Sequence, residues 1–477
     1  MHPAVYRSFR AARLGRAALG LAAPLAAAAL AACSIDETVE VQALDQVSPA
    51  ALEDSTALPT FVAGAQTDFQ VAYNGSSASE GQVNMSALFT DEFIQTESFP
   101  TRFEVDTRNV TRENTTMSPI FLNLQRARAS AERASAQYSK FNKDTVGGRL
   151  DALNLAGFSY ILLGENYCSG VPISRLEADY VTLTFGEAQT RDQVLQAAVA
   201  KFDTVIGVTG SATAASAAAR ANLARVGRAR ALLDLGRFAD ARTQAAQVPA
   251  GFVFQIQHSE NTNRQNNGVW SFSNNQGRWG VADQESGEGL PFVTQADARV
   301  PSRPRAANSG NGFDGGPMRE QLKDSTRTAP KTLADGVEAQ LIVAEGALQA
   351  GDAATFLTTL NGLRSNTAVL AQRGITTALP ALTDPGTAAG RQDLLFRERA
   401  YWLFLTSHRL GDLRRLVRQY NRPAESVFPS GNYSSNGRSG VYGTDVNFPI
   451  PIEEGQNPKT PTDATKSTLK GCIDRNA

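Results

Sequence analysis

The stretch from Leu223 to Ala245 constrains the fold more than any other part of the 477-residue chain. Leu223, Val226, Ala229 and Leu233 recur at three and four residues, Leu235-Gly236-Arg237-Phe238 interrupts them, and Ala241 and Ala245 share a face beyond the interruption. Apolar residues at that spacing line one side of a helix, and the glycine supplies the turn, so the pattern predicts two antiparallel helices, an αα-hairpin. A comparable unit runs through Leu333, Val337, Leu341, Ala344 and Leu348, turns at Ala350-Gly351-Asp352 and continues through Phe356 and Leu360. Further amphipathic helices are predicted by Leu150, Leu153, Gly157, Tyr160 and Gly164, and by Leu195, Ala198, Phe202 and Val205 behind a Thr190-x-x-Gln193 capping box. The expected fold is mostly α.

The hairpins resemble tetratricopeptide units, in which small residues let two helices approach closely. Their turn glycines, at 236 and 351, are too far apart for a tandem array with a period of about 34 residues. Helix pairs dispersed among loops are therefore expected. From about 251 to 331, and again from about 421 to 477, the texture changes to Asn, Gln, Gly, Ser, Pro and Arg with scattered aromatics. Long loops inside folded chains are usually functional, which places the expected binding surface mainly in the first of these stretches. A formal charge of −1 gives no bulk attraction for nucleic acid, and three His and three Cys without HExxH or CxxC spacing offer no metal site. No cofactor is expected.

The N-terminus carries Arg7, Arg10, Arg13 and Arg16 without an acidic residue, followed by an apolar run from Ala17 to Ala32. This is the pattern of a signal peptide, too short and Ala-rich to be a bilayer span. Leu30-Ala31-Ala32-Cys33 resembles the lipobox of bacterial lipoproteins. The resemblance implies removal of residues 1–32 and acylation of Cys33, a membrane anchor without a spanning helix. Ser34 after the cysteine implies sorting to the outer membrane, and the polar, acidic residues 33–66 are expected to form a flexible tether. With Cys33 lipidated, Cys168 and Cys472 remain as a pair in an oxidising compartment, and a disulfide between them is expected; two separately buried thiols are the alternative.

Three segments in the C-terminal half are similar to the SusD/RagB family of outer-membrane nutrient-binding lipoproteins. The first is Glu338-Ala339-Gln340-Leu341 through Glu345, with Gly351-Asp352 and Leu360-Asn361-Gly362-Leu363-Arg364. The second is Arg397-Glu398-Arg399-Ala400-Tyr401-Trp402 with His408-Arg409-Leu410-Gly411-Asp412-Leu413-Arg414-Arg415, in which Trp402 and Thr406 replace acidic residues usual in the family. The third is Phe448-Pro449-Ile450-Pro451 followed by Asn457-Pro458; Asp297-Ala298-Arg299-Val300-Pro301 precedes all three in the family's order. The resemblance implies a scaffold of tetratricopeptide-like helix pairs with a helical half at 67–250 and a loop-rich, ligand-binding half at 251–477. It also implies a cell-surface protein, not an enzyme, that captures glycans or peptides and delivers them to a SusC-like TonB-dependent transporter. A surface glycoside hydrolase and a protein–protein scaffold are the alternatives.

A sugar offers an apolar C–H face and a rim of hydroxyls, so its site needs aromatic plates beside planar hydrogen-bonding groups. Residues 258–285 hold that mixture, and Trp270, Phe272, Asn274, Arg278 and Trp279 are the candidates there. The alternation in Val269-Trp270-Ser271-Phe272-Ser273 also fits a short strand that turns both rings into the core. A second candidate surface runs from Asp91 to Phe103 and contributes Phe99 and Phe103. Finally, Leu395, Trp402, Leu405, Leu413, Leu416 and Tyr420 form an apolar stripe on a helix around His408, with Glu398, Arg409 and Asp412 on or beside it. Charges placed there must pair or suffer desolvation, so a buried ion-pair network is expected in preference to a catalytic constellation, since no GxSxG motif accompanies it.

Overall fold

A computed structural model describes residues 54–177, 182–209 and 214–477. The signal peptide, Cys33 and the tether up to residue 53 lie outside the described residues.

Helices follow one another as the periodicity requires. Leu58–Asn74 packs on Met117–Lys140, which packs on Gly147–Asn166; then come Arg191–Thr209, Ala215–Asp234 and Phe238–Ala245, each against its predecessor. Phe238–Ala245 in turn packs on Gly336–Gln349, which pairs with Ala353–Ser365 and touches Ala388–Trp402. Residues on both sides of position 250 are thus joined in one helical layer. Strands are two to five residues long and occur only as two-stranded antiparallel pairs among the described residues. The expectation of a mostly helical fold with a few short strands is borne out.

Local chemistry explains the close helix contacts. The Phe202 ring lies between Gly157 and Gly227, where a Cβ would fall 2.5 Å and 2.3 Å from its Cζ. Two neighbouring helices can approach the phenyl only because neither carries a side chain there. Phe202 is fully buried and meets Phe158 edge-on at 5.3 Å, and full burial of such a ring is worth about 1.5–3 kcal/mol. The turn glycines Gly236 and Gly351 take φ of 75° and 76°, which a Cβ would resist. The capping box forms as its spacing predicts: Gln193 N donates to Thr190 Oγ1 at 3.3 Å, and Thr190 N donates back to Gln193 Oε1 at 2.8 Å. Cys168 and Cys472 form a disulfide with a Cα–Cα distance of 5.8 Å, binding the C-terminal tail to the end of the Gly147–Asn166 helix.

Three sequence expectations need correction. The stretch read as tether up to residue 66 contains a helix from Leu58, whose Leu58, Val62 and Ala65 are buried. The helix expected around His408 is two helices, Ala388–Trp402 and Arg409–Tyr420, separated by a turn in which Leu405 and Ser407 take φ of 54° and 60°. Such angles are strained for residues other than glycine. Distant groups hold them: Leu405 N donates to Glu92 Oε1 at 2.8 Å, Tyr73 Oη donates to Thr406 O at 3.1 Å, and Ser86 Oγ donates to Ser407 Oγ at 3.2 Å. Lastly, Val269 to Ser273 is not a strand. Gly268–Trp270 is a helical turn, capped by Asn267 Oδ1 accepting from Trp270 N, and it widens into a π turn over Ser271–Asn275.

Candidate functional site

The two loop regions singled out in the sequence meet in space. Phe93–Gln95 pairs antiparallel with Trp279–Val281, Gln95 opposite Trp279, and Thr96 N extends the contact by donating to Arg278 O at 2.8 Å. Beyond the strand, Phe99 precedes a helix over Pro100–Asp106 with proline in its first turn, a position that needs no N–H donor. The loop at 311–316 closes over this pair: Phe313 N donates to Gly277 O at 2.7 Å and Asp314 N to Thr96 O at 3.0 Å.

These connections assemble an aromatic and cationic ladder at the surface. The Arg278 guanidinium lies over two rings, 4.9 Å from the centre of Phe99 and 4.8 Å from that of Phe313. Those rings are 43% and 54% exposed, so the ladder presents aromatic faces to solvent. Arg102 continues it inward, 4.8 Å from Phe99, 5.6 Å from Phe272 and 5.7 Å from Trp279. Glu97 ties both arginines together: it accepts from Arg102 Nη1 at 3.2 Å and from Arg278 Nη1 at 2.5 Å, while Glu80 takes the rest of Arg102. Burial raises the Glu97 carboxyl above its usual range, with both guanidiniums working against that shift. Arg278 Nε donates to Gln276 Oε1, leaving Nη2 without a partner among the described residues. An exposed pair of rings with a free, rigid donor beside them can receive the C–H face and a hydroxyl of a sugar.

The structure sorts the remaining candidates. Trp279 is fully buried and stacks on buried Phe272 at 5.3 Å, so both support the ladder from within and neither offers a face to a ligand. Asn274 is engaged at both ends of its amide, Nδ2 to Gln321 O at 2.8 Å and Oδ1 from Gln321 Nε2 at 3.0 Å. With both polar ends bonded within the protein, Asn274 is a link to Gln321 and not the ligand contact expected from its residue type. Trp270 faces the Arg327 guanidinium at 5.4 Å, apart from the ladder. Phe103 is half-buried and packs edge-on against Tyr433 at 5.1 Å. Phe99 and Arg278 are the two candidates that reach the surface of the ladder. Phe313, Arg102 and Glu97 were not singled out in the sequence. Phe313 carried a signal, a lone aromatic in the glycine-rich run Asn311-Gly312-Phe313-Asp314-Gly315-Gly316.

Glu398, Arg409 and Asp412 are buried, and they do not bond to one another. Glu398 accepts from Arg299 Nη1 at 2.8 Å, Arg364 Nη1 at 2.7 Å and Trp402 Nε1 at 3.2 Å. Arg409 makes a two-pronged pair with Asp91 at 2.6 and 2.7 Å. Asp412 accepts from Arg399 at 2.8 Å and Arg415 at 2.9 Å; burial would raise its carboxyl, but the two guanidiniums outweigh it and hold the group well below the usual range. Each carboxylate is saturated by arginine, which suits a strut between elements and leaves no free base.

No protein-family model matches the sequence, and no curated protein matches it. Solved structures match the fold. A SusD-like carbohydrate-binding protein from Bacteroides vulgatus superposes with a TM-score of 0.60 at 12% identity, covering 86% of this chain and 99% of the other. A SusD/RagB family protein from Bacteroides thetaiotaomicron gives 0.58 at 11% identity over 86% and 97% of the two chains. Surface glycan-binding protein A from Bacteroides fluxus gives 0.58 at 13% identity over 87% and 98%. At these identities the likeness is one of architecture: the chain has the SusD/RagB fold.

Proposed function

We propose that this chain is a SusD/RagB-type surface lipoprotein that binds glycans on the Phe99–Arg278–Phe313 ladder without cleaving them. It passes them to a SusC-like TonB-dependent transporter in the outer membrane. The observation that carries the reading is the pair of exposed rings on one guanidinium, built where both sequence-derived candidate regions converge. Two fold neighbours described as carbohydrate- or glycan-binding support it. Acylated Cys33 supplies the anchor, in keeping with the absence, among the described residues, of any helix long and apolar enough to cross a membrane. Glu80 and Glu97, the carboxylates of the ladder, are both bound to Arg102, which disfavours a paired acid and base of the glycosidase kind.

Calorimetry of the mature protein against a panel of oligosaccharides and short peptides tests the reading. Binding of a glycan that weakens in Phe313→Ala, with no new reducing ends after prolonged incubation, is expected. Release of reducing ends would move the protein to the hydrolases, and heat from peptides alone would replace the glycan as ligand.

A further inference from the structure

Apart from the ladder, a cavity of about 430 Å³ opens between the strand Lys331–Asp335, the loop at 322–324 and the turn that joins Ala388–Trp402 to Arg409–Tyr420. It lies within the size range of small-molecule sites. None of the ladder residues lines it. Its cations are matched with carboxylates in all cases but one. Arg299 is held by Asp297 at 2.7 Å and Glu398 at 2.8 Å, Lys331 by Asp324 at 2.6 Å, and Arg373 by Asp335. Lys323 has no carboxylate within ion-pair distance among the described residues; its ammonium donates to a single backbone oxygen, Phe404 O, at 2.6 Å. Two of its three donor positions therefore have no acceptor among the described residues and face the cavity.

The opposite chemistry sits on the same wall. Glu338, 1% exposed, lines the cavity, and neither of its carboxylate oxygens makes a hydrogen bond among the described residues. His408 Nε2 approaches Glu338 Oε1 at 3.0 Å, and Arg230 Nη1 stands 3.9 Å from it, occupied by Glu165. Buried polar atoms left in this state are destabilising, the more so when charged, unless something supplies the missing partner. The cavity thus offers an ammonium that no carboxylate neutralises and, in Glu338, a carboxylate whose Oε2 accepts no hydrogen bond among the described residues.

We infer that this cavity is a second binding site, for a small molecule whose carboxylate pairs with Lys323 and whose hydroxyl or ammonium donors reach Glu338. A uronic sugar and a free amino acid or dipeptide share that chemistry. The inference stands apart from the glycan ladder and does not depend on it.

The charges around Lys323 set a pH dependence. Burial lowers its pKa to about 7, helped by Lys331 and Arg373 and opposed by Asp324 and Glu92. Glu92 is itself pushed up to about 7, chiefly by burial, so it compensates the ammonium poorly in the acid range. An anionic ligand binds the protonated amine: affinity is flat below pH 7 and falls by up to roughly tenfold per unit above it, until the pKa of the complex is reached.

Calorimetry with galacturonate, with glycylglycine and with neutral galactose, at pH 6 and pH 8.5, tests this. Heat with either carboxylate and none with galactose is expected, weaker at the higher pH. Which of the two binds identifies the source. Lys323→Met should reduce affinity roughly tenfold or more, the worth of a charge-assisted hydrogen bond, and Phe313→Ala should leave it unchanged. Proton uptake by the wild type on binding near pH 7.5, measured in buffers of different ionisation enthalpy, provides a readout should Lys323→Met fold poorly. Absence of heat from both carboxylates, or binding without proton uptake that survives Lys323→Met, overturns the inference.

Discussion

Removing the disulfide by Cys168→Ser with Cys472→Ser should lower global stability by about 2–5 kcal/mol while leaving the folded structure and the ladder in place. The two cysteines are 304 residues apart, and releasing a loop of that length frees chain entropy in the unfolded state equivalent to about 5–6 kcal/mol, the ceiling of the effect. The folded state changes little because the tail has other fastenings. Ile473 N donates to Ser169 O at 2.9 Å, and Asp445 takes both Lys470 at 2.8 Å and Arg475 at 2.6 Å. Asn447 Nδ2 donates to Arg475 O at 3.0 Å. Equilibrium urea titration followed by circular dichroism, with refolding verified, is the assay. The midpoint should fall and the slope should rise, because an unfolded chain without the link exposes more surface. A variant with the wild-type midpoint and slope would refute the entropic argument. So would loss of helical signal before denaturant is added.

Phe99→Ala and Phe313→Ala should each weaken glycan binding by roughly 5- to 30-fold in titration, the loss of one aromatic contact, and Phe313→Ala should hardly move the melting temperature because that ring is half exposed. Gly227→Ala places a Cβ 2.3 Å from the Phe202 ring and should destabilise the fold by about 1–3 kcal/mol; Phe202→Leu in the same chain should recover part of the loss in a thermal melt. Glu398→Ala leaves Arg299 and Arg364 without their shared carboxylate and should cost about 3–5 kcal/mol, read as a large fall in melting temperature. Burial raises Asp106 from 3.8 to about 7, against the hydrogen bonds from Tyr433 and Gln95. The folded chain therefore holds a proton that the unfolded chain gives up, and this contribution is full below pH 4 and lost as pH rises to about 7. Asp106→Asn should accordingly melt higher than the wild type at pH 8 relative to pH 5, and an equal difference at both would contradict the assignment.

The helix pairs were legible because their signals are local. An apolar stripe, a capping box at Thr190 and Gln193 and the glycines of two turns each act within a few residues, and the structure keeps them where the spacing put them. The break at Leu403–Ser407 was not legible, because Leu405 and Ser407 carry no local preference for positive φ. Glu92, Tyr73 and Ser86 impose the turn from more than 300 residues away in sequence. The aromatic candidates show the same divide. Residue types marked the two loop regions, but nothing in the sequence distinguishes Trp279 in the core from Phe99 at the surface. That difference arises when residues 93–95 pair with 279–281. Nothing local to Asn274 shows that its amide is spent, because its partner, Gln321, lies 47 residues on, in the strand Arg319–Gln321.

The same non-local assembly bears on how the ladder can serve recognition. An exposed phenylalanine on a loop is ordinarily free to rotate, and fixing it on binding costs part of the affinity the contact gains. Here Phe99 and Phe313 both rest on Arg278, and Arg278 is held from behind by Glu97, a buried carboxylate that also grips Arg102. Order in the rings is therefore established before a ligand arrives, by charges paired in the layer beneath. The electrostatics point the same way: Arg102 and Arg278 face Glu80 and Glu97, so their formal charges balance, and no strong field selects for an anion at this surface. A neutral glycan suits the ladder, whereas the unpaired ammonium of Lys323 suits a carboxylate. Two differently charged sites in one chain would let a single protein retain distinct parts, or distinct kinds, of nutrient.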